Sequence, residues 1–125
     1  MSASDMPGSD ASSQRGFDLL AQGDAAGAAA AFREAIAADE HHVEAHHGLV
    51  RALRDAGRLE QAIGAALALT VLTPNDPLAH TALSIALQQA GHVPEAEAAA
   101  ARARILEWKV ELQQSPEESR EGKSL

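Results

Sequence analysis

The sequence of 125 residues has no cysteine and very few aromatic residues. The lack of cysteine excludes disulfide bonds, catalysis by a thiolate and metal sites ligated by cysteine. Aromatic residues make up 2% of the chain although hydrophobic residues make up 46%, so the apolar content is mostly alanine and leucine. Alanine has the highest helix propensity of all residues, and this composition therefore favours a helical protein.

Long hydrophobic runs and an excess of basic residues are also absent. The sequence has no stretch of about 18 apolar residues, so no transmembrane helix is expected. The first residues lack the basic segment and the apolar run of a secretory signal. We therefore expect a cytoplasmic protein with a single domain. The formal net charge is −8, which repels phosphate groups and argues against nucleic acid or an anionic membrane surface as a partner.

The chain repeats with a period of 34 residues, and residues of one type fall into columns when it is written in rows of that length. The columns are Gly23, Gly57 and Gly91; Ala28, Ala62 and Ala96; Leu19, Leu53 and Leu87. A glycine at the end of a helix adopts a left-handed conformation without steric cost, and alanine fits where two helices cross closely. We therefore predict three helical hairpins that stack to bury their apolar faces.

The helix boundaries follow from the glycine columns and from start signals. The first helices of the hairpins are predicted at about 10–22, 44–56 and 78–90, and the second helices at about 25–39, 59–72 and 94–113. Asp76 followed by Pro77 is typical of an N-cap and the first helical position. Residues 1–8 and the acidic tail 115–125 are expected to be disordered on either side of a domain at 9–114.

These columns resemble the tetratricopeptide repeat (TPR) family. The second row carries His46, Leu49, Leu53, Gly57, Ala62, Ala66, Leu69 and Pro74 at the positions of the family pattern, and the third carries His80, Leu83, Leu87, Gly91, Ala96, Ala100 and Ala103. The first row matches the family pattern less well and has Glu40 where proline is usual. The resemblance implies an all-α, right-handed superhelical stack of three repeats at about 9–42, 43–76 and 77–110. The sequence departs from the family at its end, where we expect the last helix to extend through Trp108 in place of a separate capping helix.

The resemblance also implies a function and a site. In TPR proteins the first helix of each repeat lines a concave groove that binds another protein, so we expect a non-catalytic adaptor, scaffold or accessory subunit that binds a peptide or helix of its partner. The predicted groove residues are Phe17, Leu20, Glu44, His47, Arg51, Arg54, Asp55, Leu78, Thr81, Ile85 and Gln88. Apolar groove residues suit an amphipathic helix or an extended peptide, and arginine suits carboxylates, so the expected partner offers acidic and apolar groups.

One TPR subfamily grips the C-terminal carboxylate of chaperones with Lys, Asn and Arg at set groove positions. The corresponding positions of this sequence hold Ser13, Phe17, Gly48, Leu78 and Ala82. None of these residues can act as a cationic or amide clamp, so the resemblance does not extend to the binding of chaperone tails.

Histidines 41, 42, 46 and 47 form a cluster beside Glu40 and Glu44. The spacing of His42 and His46 favours a metal site on one helix face, but His80 recurs one period after His46, which favours a role in the repeat architecture. We find no phosphate-binding loop or nucleophile elbow, and predict no enzyme activity, catalytic residue, metal or cofactor. Two alternatives stay open: a self-assembling subunit that forms homo-oligomers through its repeat ends and the Trp108 helix, and a metal-binding protein that uses His41–His47.

Overall fold

The computed structural model describes residues 8–114, and this part of the chain forms six α-helices and no strand. They are α1 (Gly8–Ala21), α2 (Ala25–Ala38), α3 (Val43–Asp55), α4 (Leu59–Leu72), α5 (Pro77–Gln89) and α6 (Val93–Gln114). Each helix packs on the next, and α3 also contacts both α1 and α5. The structure confirms the predicted all-α stack of three hairpins, with every helix end within two residues of its prediction.

The predicted disorder at residues 1–8 and 115–125 lies outside the described residues, except that Gly8 begins α1. Within the described part of the chain, no helix is both long enough and apolar enough to cross a membrane.

Each hairpin turn is built by a glycine together with the leucine four residues before it. The backbone φ angles of Gly23, Gly57 and Gly91 are 84°, 76° and 88°, which is the left-handed conformation. In each turn the N–H of the residue after the glycine donates to the carbonyl of the column leucine, over 2.8–2.9 Å; these leucines are Leu19, Leu53 and Leu87. This hydrogen-bond pattern is a Schellman motif, which ends the helix. The aligned glycines and leucines therefore form the same helix-ending motif in all three hairpin turns.

The largest fully buried side chain, Phe32 of α2, lies between two glycines. A Cβ atom built on Gly16 of α1 or on Gly48 of α3 would approach the Phe32 ring to less than 3.0 Å, closer than real side chains pack. The two helices can therefore close over the ring only because both positions lack a side chain. Phe32 thus joins the first hairpin to the second.

The recurrent histidines have the same role in two repeats. The Nε2 atom of His46 lies 2.9 Å from the carbonyl oxygen of Glu40, and Nε2 of His80 lies 2.8 Å from the carbonyl oxygen of Pro74. A carbonyl oxygen only accepts, so both rings donate from Nε2 to the turn that precedes their helix. The repeat position therefore accounts for His46.

The last helix differs from its two counterparts on the side where a following repeat would pack. The position of buried Ala29 in α2 and buried Ile63 in α4 is held in α6 by exposed Glu97. The position of half-buried Ile36 is likewise held by exposed Arg104. α2 and α4 each precede another hairpin, so these positions belong to the contact between repeats, and α6 presents charges there.

Candidate protein-binding groove

The first helices of the three hairpins line an open groove of about 370 Å³. Helical spacing of three or four residues aligns the predicted side chains on the inner face of each helix. Seven of the predicted residues line this groove: Phe17, His47, Arg51, Arg54, Leu78, Thr81 and Ile85. The structure therefore brings together residues from all three repeats.

The apolar wall of the groove consists of large side chains that remain exposed. The exposed fractions are 37% for Phe17, 62% for Leu78 and 38% for Ile85. The Phe17 ring packs edge to face on Phe32 of the core, with the ring centroids 4.8 Å apart. The core thereby fixes the ring that borders the groove.

Three further residues line the groove: Gly48 and Ala82, which hold positions of the chaperone-tail clamp, and Val50, for which the sequence predicts no groove role. Gly48 and Val50 are buried and form its floor. A glycine in the middle of a helix costs about 1 kcal/mol relative to alanine, so Gly48 is a position where the sequence itself points to a close approach. Val50 gives no such indication, because its branched apolar side chain is typical of any buried position.

The two groove arginines have weak local partners. Nε of Arg51 lies 3.8 Å from Oδ2 of Asp55, and both side chains are well exposed; an ion pair of this kind contributes little. Nε of Arg54 donates to Oε1 of Gln89 over 3.0 Å, which links the second repeat to the third. A guanidinium has five N–H donors, so both arginines keep donors for a ligand.

His47 lies half-buried between the arginines and the Asp76 turn. Burial lowers the pKa of His47; Asp76 opposes this effect on the pKa, and His46 adds to it. The ring is therefore held in its neutral form at neutral pH. The positive charge of the groove then comes from Arg51 and Arg54.

The remaining predicted residues do not line the groove. Glu44 lines a neighbouring concavity. Leu20 is partly buried and packs against the core, so it is not part of the predicted exposed apolar patch. Asp55 contacts Arg51 as described, and Gln88 is exposed on α5 without lining the groove.

The histidines at the start of α3 are engaged in local contacts. His42 is the N-cap of this helix: its Nδ1 accepts from the backbone N–H of Ala45 over 3.2 Å, and its Nε2 lies 2.9 Å from Oδ1 of Asp10. Because Nδ1 accepts, the ring N–H that faces Asp10 is on Nε2, and Nε2 donates a hydrogen bond to the carboxylate. Within residues 8–114, no group of three or more His, Asp or Glu side chains is placed to hold a metal ion.

A family model of the tetratricopeptide repeat matches residues 19–84 of this sequence. The chain belongs to the tetratricopeptide repeat family. This TPR chain is also similar to solved structures. Because the sequence identities are low, this similarity establishes the fold alone. The structure of MamA superimposes with a TM-score of 0.76 at 21% identity and covers 82% of this chain. This chain covers 60% of that one, so it spans well under the full length of that relative.

Two further structures have the same fold. The type III secretion translocator chaperone SycD of Yersinia enterocolitica, in an alternative dimer, has a TM-score of 0.74 at 19% identity, with 93% of this TPR chain and 84% of SycD covered. The second TPR domain of Spaghetti (RPAP3), bound to the HSP90 peptide SRMEEVD, has a TM-score of 0.73 at 18% identity, with 79% of this chain and 92% of that domain covered. No curated protein sequence matches this TPR chain.

Proposed function

We propose that this TPR protein is a non-catalytic binding module, an adaptor, scaffold or accessory subunit of the cytoplasm, which holds a peptide or helix of a partner protein in the groove. The observation that carries the proposal is the exposure of Phe17, Leu78 and Ile85 on one concave surface beside Arg51 and Arg54. Large apolar side chains that share one concave surface favour the burial of a partner's apolar side chain.

The chemistry of the groove defines the partner segment. Burial of apolar surface contributes about 25 cal/mol per Å², so an apolar partner side chain between Phe17 and Ile85 would supply most of the affinity. The arginines would orient the segment by hydrogen bonds to its carboxylates, since the planar guanidinium can bind a carboxylate through two parallel N–H groups. We therefore propose a partner segment with apolar and acidic side chains.

The similar structures support a role in protein binding. The TPR domain of Spaghetti is bound to an HSP90 peptide, and SycD is a translocator chaperone. The groove positions of the carboxylate clamp hold Ser13, Phe17, Gly48, Leu78 and Ala82 here. The proposed mode of binding therefore depends on Arg51 and Arg54 and differs from the clamp.

The proposal is tested by reversing the charge of the groove. The double variant Arg51→Glu/Arg54→Glu is compared with Arg102→Glu/Arg104→Glu, which makes the same change of charge on exposed positions of α6 outside the groove. Circular dichroism confirms that each variant is folded. Partners captured from a lysate of the native cells are identified by mass spectrometry, and the affinity of the purified partner is measured by calorimetry.

We expect the groove variant to lose the partner, with at least about a tenfold increase in Kd, and the α6 variant to retain it. A partner bound equally well by both variants would show that the groove is not its binding site.

A second candidate function is self-assembly, and the specific observation in its favour is an apolar stripe on α6. Ile105, Trp108 and Leu112 follow one another at spacings of three and four residues and are 47%, 62% and 46% exposed. This spacing is typical of a seam between two helices. A second copy of the chain could bury the stripe by pairing α6 with α6.

Light scattering and the fluorescence of Trp108, which is the sole tryptophan of the chain, distinguish the two functions. Self-assembly predicts a molar mass above that of the monomer and a blue shift of the emission as the concentration rises, and both are lost in Trp108→Lys. A ligand in the groove leaves the emission unchanged, because Trp108 does not line the groove. A strict monomer with constant emission at high concentration would exclude self-assembly.

A further inference from the structure

The groove continues into a second concavity of opposite charge. This concavity has a volume of about 230 Å³ and is lined by Asp10, Ser13, Gln14, Phe17, His42 and Glu44. We call it the acidic pocket. Phe17 lines both the acidic pocket and the groove, so a bound segment can pass from one to the other over a single aromatic ring.

Charge changes sign along α3. Glu44 lies in the first turn of this helix, and Arg51 and Arg54 lie in its second half. Glu44 and Arg51 are seven residues apart, or about two turns, which puts them on the same face about 10 Å apart along the axis. The inner face of α3 therefore has a negative end and a positive end.

The acidic pocket has two carboxylates, Asp10 and Glu44, among its lining side chains. Glu44 is exposed and has no ion pair within residues 8–114. Asp10 accepts a hydrogen bond from Nε2 of His42, and the Asp10 side chain is still 55% exposed. Ser13 is buried and uncharged. Within residues 8–114, two carboxylates therefore line this polar pocket, and no Lys or Arg side chain does.

We propose that the acidic pocket and the groove together bind one extended segment of a partner protein, which carries a basic side chain and an acidic side chain on either side of an apolar one. The basic side chain lies in the acidic pocket, the apolar side chain packs on Phe17, and the acidic side chain binds Arg51 and Arg54. This inference rests on the proposed function. It adds a second charge to the ligand and fixes the register and direction of the segment.

The separation of the charges sets their spacing in the ligand. An extended chain rises about 3.3 Å per residue, so about 10 Å corresponds to about three residues between the basic and the acidic side chain. A segment that is acidic throughout would bring a carboxylate toward Asp10 and Glu44, within the Debye length of about 8 Å at physiological salt. The repulsion disfavours such a segment relative to one with both charges.

The experiment selects binders from a phage library of random short peptides on the full chain. The wild type is compared with Asp10→Asn/Glu44→Gln, which removes the two charges but keeps the shape and the acceptor for His42, and with Arg51→Gln/Arg54→Gln. Glu95→Gln/Glu97→Gln is the matched control, with two exposed carboxylates removed from α6. Selected peptides are then synthesised with a fluorophore, and their Kd values are measured by anisotropy.

We expect wild-type binders to share a basic residue about three positions from an acidic residue, always in the same order and with an apolar residue between them. The pocket variant should bind these peptides about fivefold to tenfold more weakly, and replacing the basic residue of the peptide by glutamine should then cause no further loss. The control variant should bind like the wild type.

Two results would overturn the inference, and they have different meanings. If binders need Arg51 and Arg54 but show no basic residue and bind the pocket variant equally well, the inference is wrong and the proposed function stands. If no selected peptide depends on Arg51 and Arg54, the proposed function fails and the inference fails with it.

Discussion

The ring of Phe17 meets the ring of Phe32 edge to face, with centroids 4.8 Å apart and planes inclined at 74°. Phe32 is completely buried, whereas Phe17 is 37% exposed. One member of the pair therefore belongs to the core and the other to the groove. The shape of the groove at this point depends on how α1, α2 and α3 pack around Phe32.

This pair predicts an energetic coupling. Edge-to-face aromatic pairs contribute about 0.5–1.5 kcal/mol beyond the burial of their area, so Phe17→Leu and Phe32→Leu together should destabilise the fold less than the sum of the two single variants by that amount. Urea unfolding followed by circular dichroism measures all three variants against the wild type. Strict additivity would show that the contact contributes no specific energy.

Gly48 and Gly64 provide a matched pair of substitutions in helices. Gly48→Ala should lower the free energy of unfolding by about 1–3 kcal/mol, because the new methyl group would overlap the Phe32 ring. Gly64 of α4 is exposed, and a Cβ atom built on it would have no neighbour within 4 Å. Gly64→Ala should therefore raise the free energy of unfolding by about 0.5–1 kcal/mol, because alanine has the higher helix propensity. Thermal unfolding of both variants checks the difference; equal shifts would contradict the tight fit around Phe32.

His42 is predicted to stabilise α3 as its N-cap. His42→Ala should lower the free energy of unfolding by about 1 kcal/mol, because the N–H of Ala45 loses its acceptor. His42→Asn should restore most of this loss, since the asparagine oxygen is a good N-cap acceptor. His41→Ala is the control, because His41 is exposed just before the cap; chemical unfolding in which His41→Ala is as destabilised as His42→Ala would refute the cap.

His47 is predicted to make stability depend on pH. Its pKa is lowered in the folded state by burial, so below about pH 6.5 the unfolded chain takes up a proton that the folded protein resists. The contribution of His47 is therefore fully present above about pH 6.5, and stability falls as the pH drops toward the folded pKa. His47→Gln should flatten the curve of unfolding free energy between about pH 7.5 and about pH 5.5, whereas His41→Gln should not; parallel curves for the wild type and His47→Gln would contradict the pKa shift.

Most of the fold can be predicted from the sequence because helix caps and helix-ending glycine turns depend on short stretches of sequence. The left-handed conformation at Gly57 and the cap at Asp76 are properties of short segments, and Asp76 does accept from the N–H of Leu78. The TPR resemblance assigns the first helices to the groove, and from it His47, Arg51 and Ile85 could be predicted as lining residues. Glu44, Asp55 and Gln88 lie on the same helices but do not line the groove. Leu20 of α1 packs against the core.

The floor of the groove and the acidic pocket could not be predicted in the same way, because they depend on contacts between distant segments. Asp10 and His42 are 32 residues apart in the sequence and meet at the start of α3. Phe32 reaches Gly16 and Gly48 from the intervening hairpin. These side chains lie on different helices and come together only when the helices pack. The two concavities are therefore defined by the tertiary structure and not by the pattern of any single helix.

The charged residues at the repeat contact of α6 have a consequence for duplication and design. An additional copy of residues 43–76 placed after α6 would meet Glu97 and Arg104 at the positions where α4 has the buried Ile63 and the half-buried Thr70. Burying either charge without a partner is strongly unfavourable. A longer engineered array would therefore have to insert its new hairpins before α6, or replace these two side chains by apolar ones, so that α6 acts as a stop for the growth of the array.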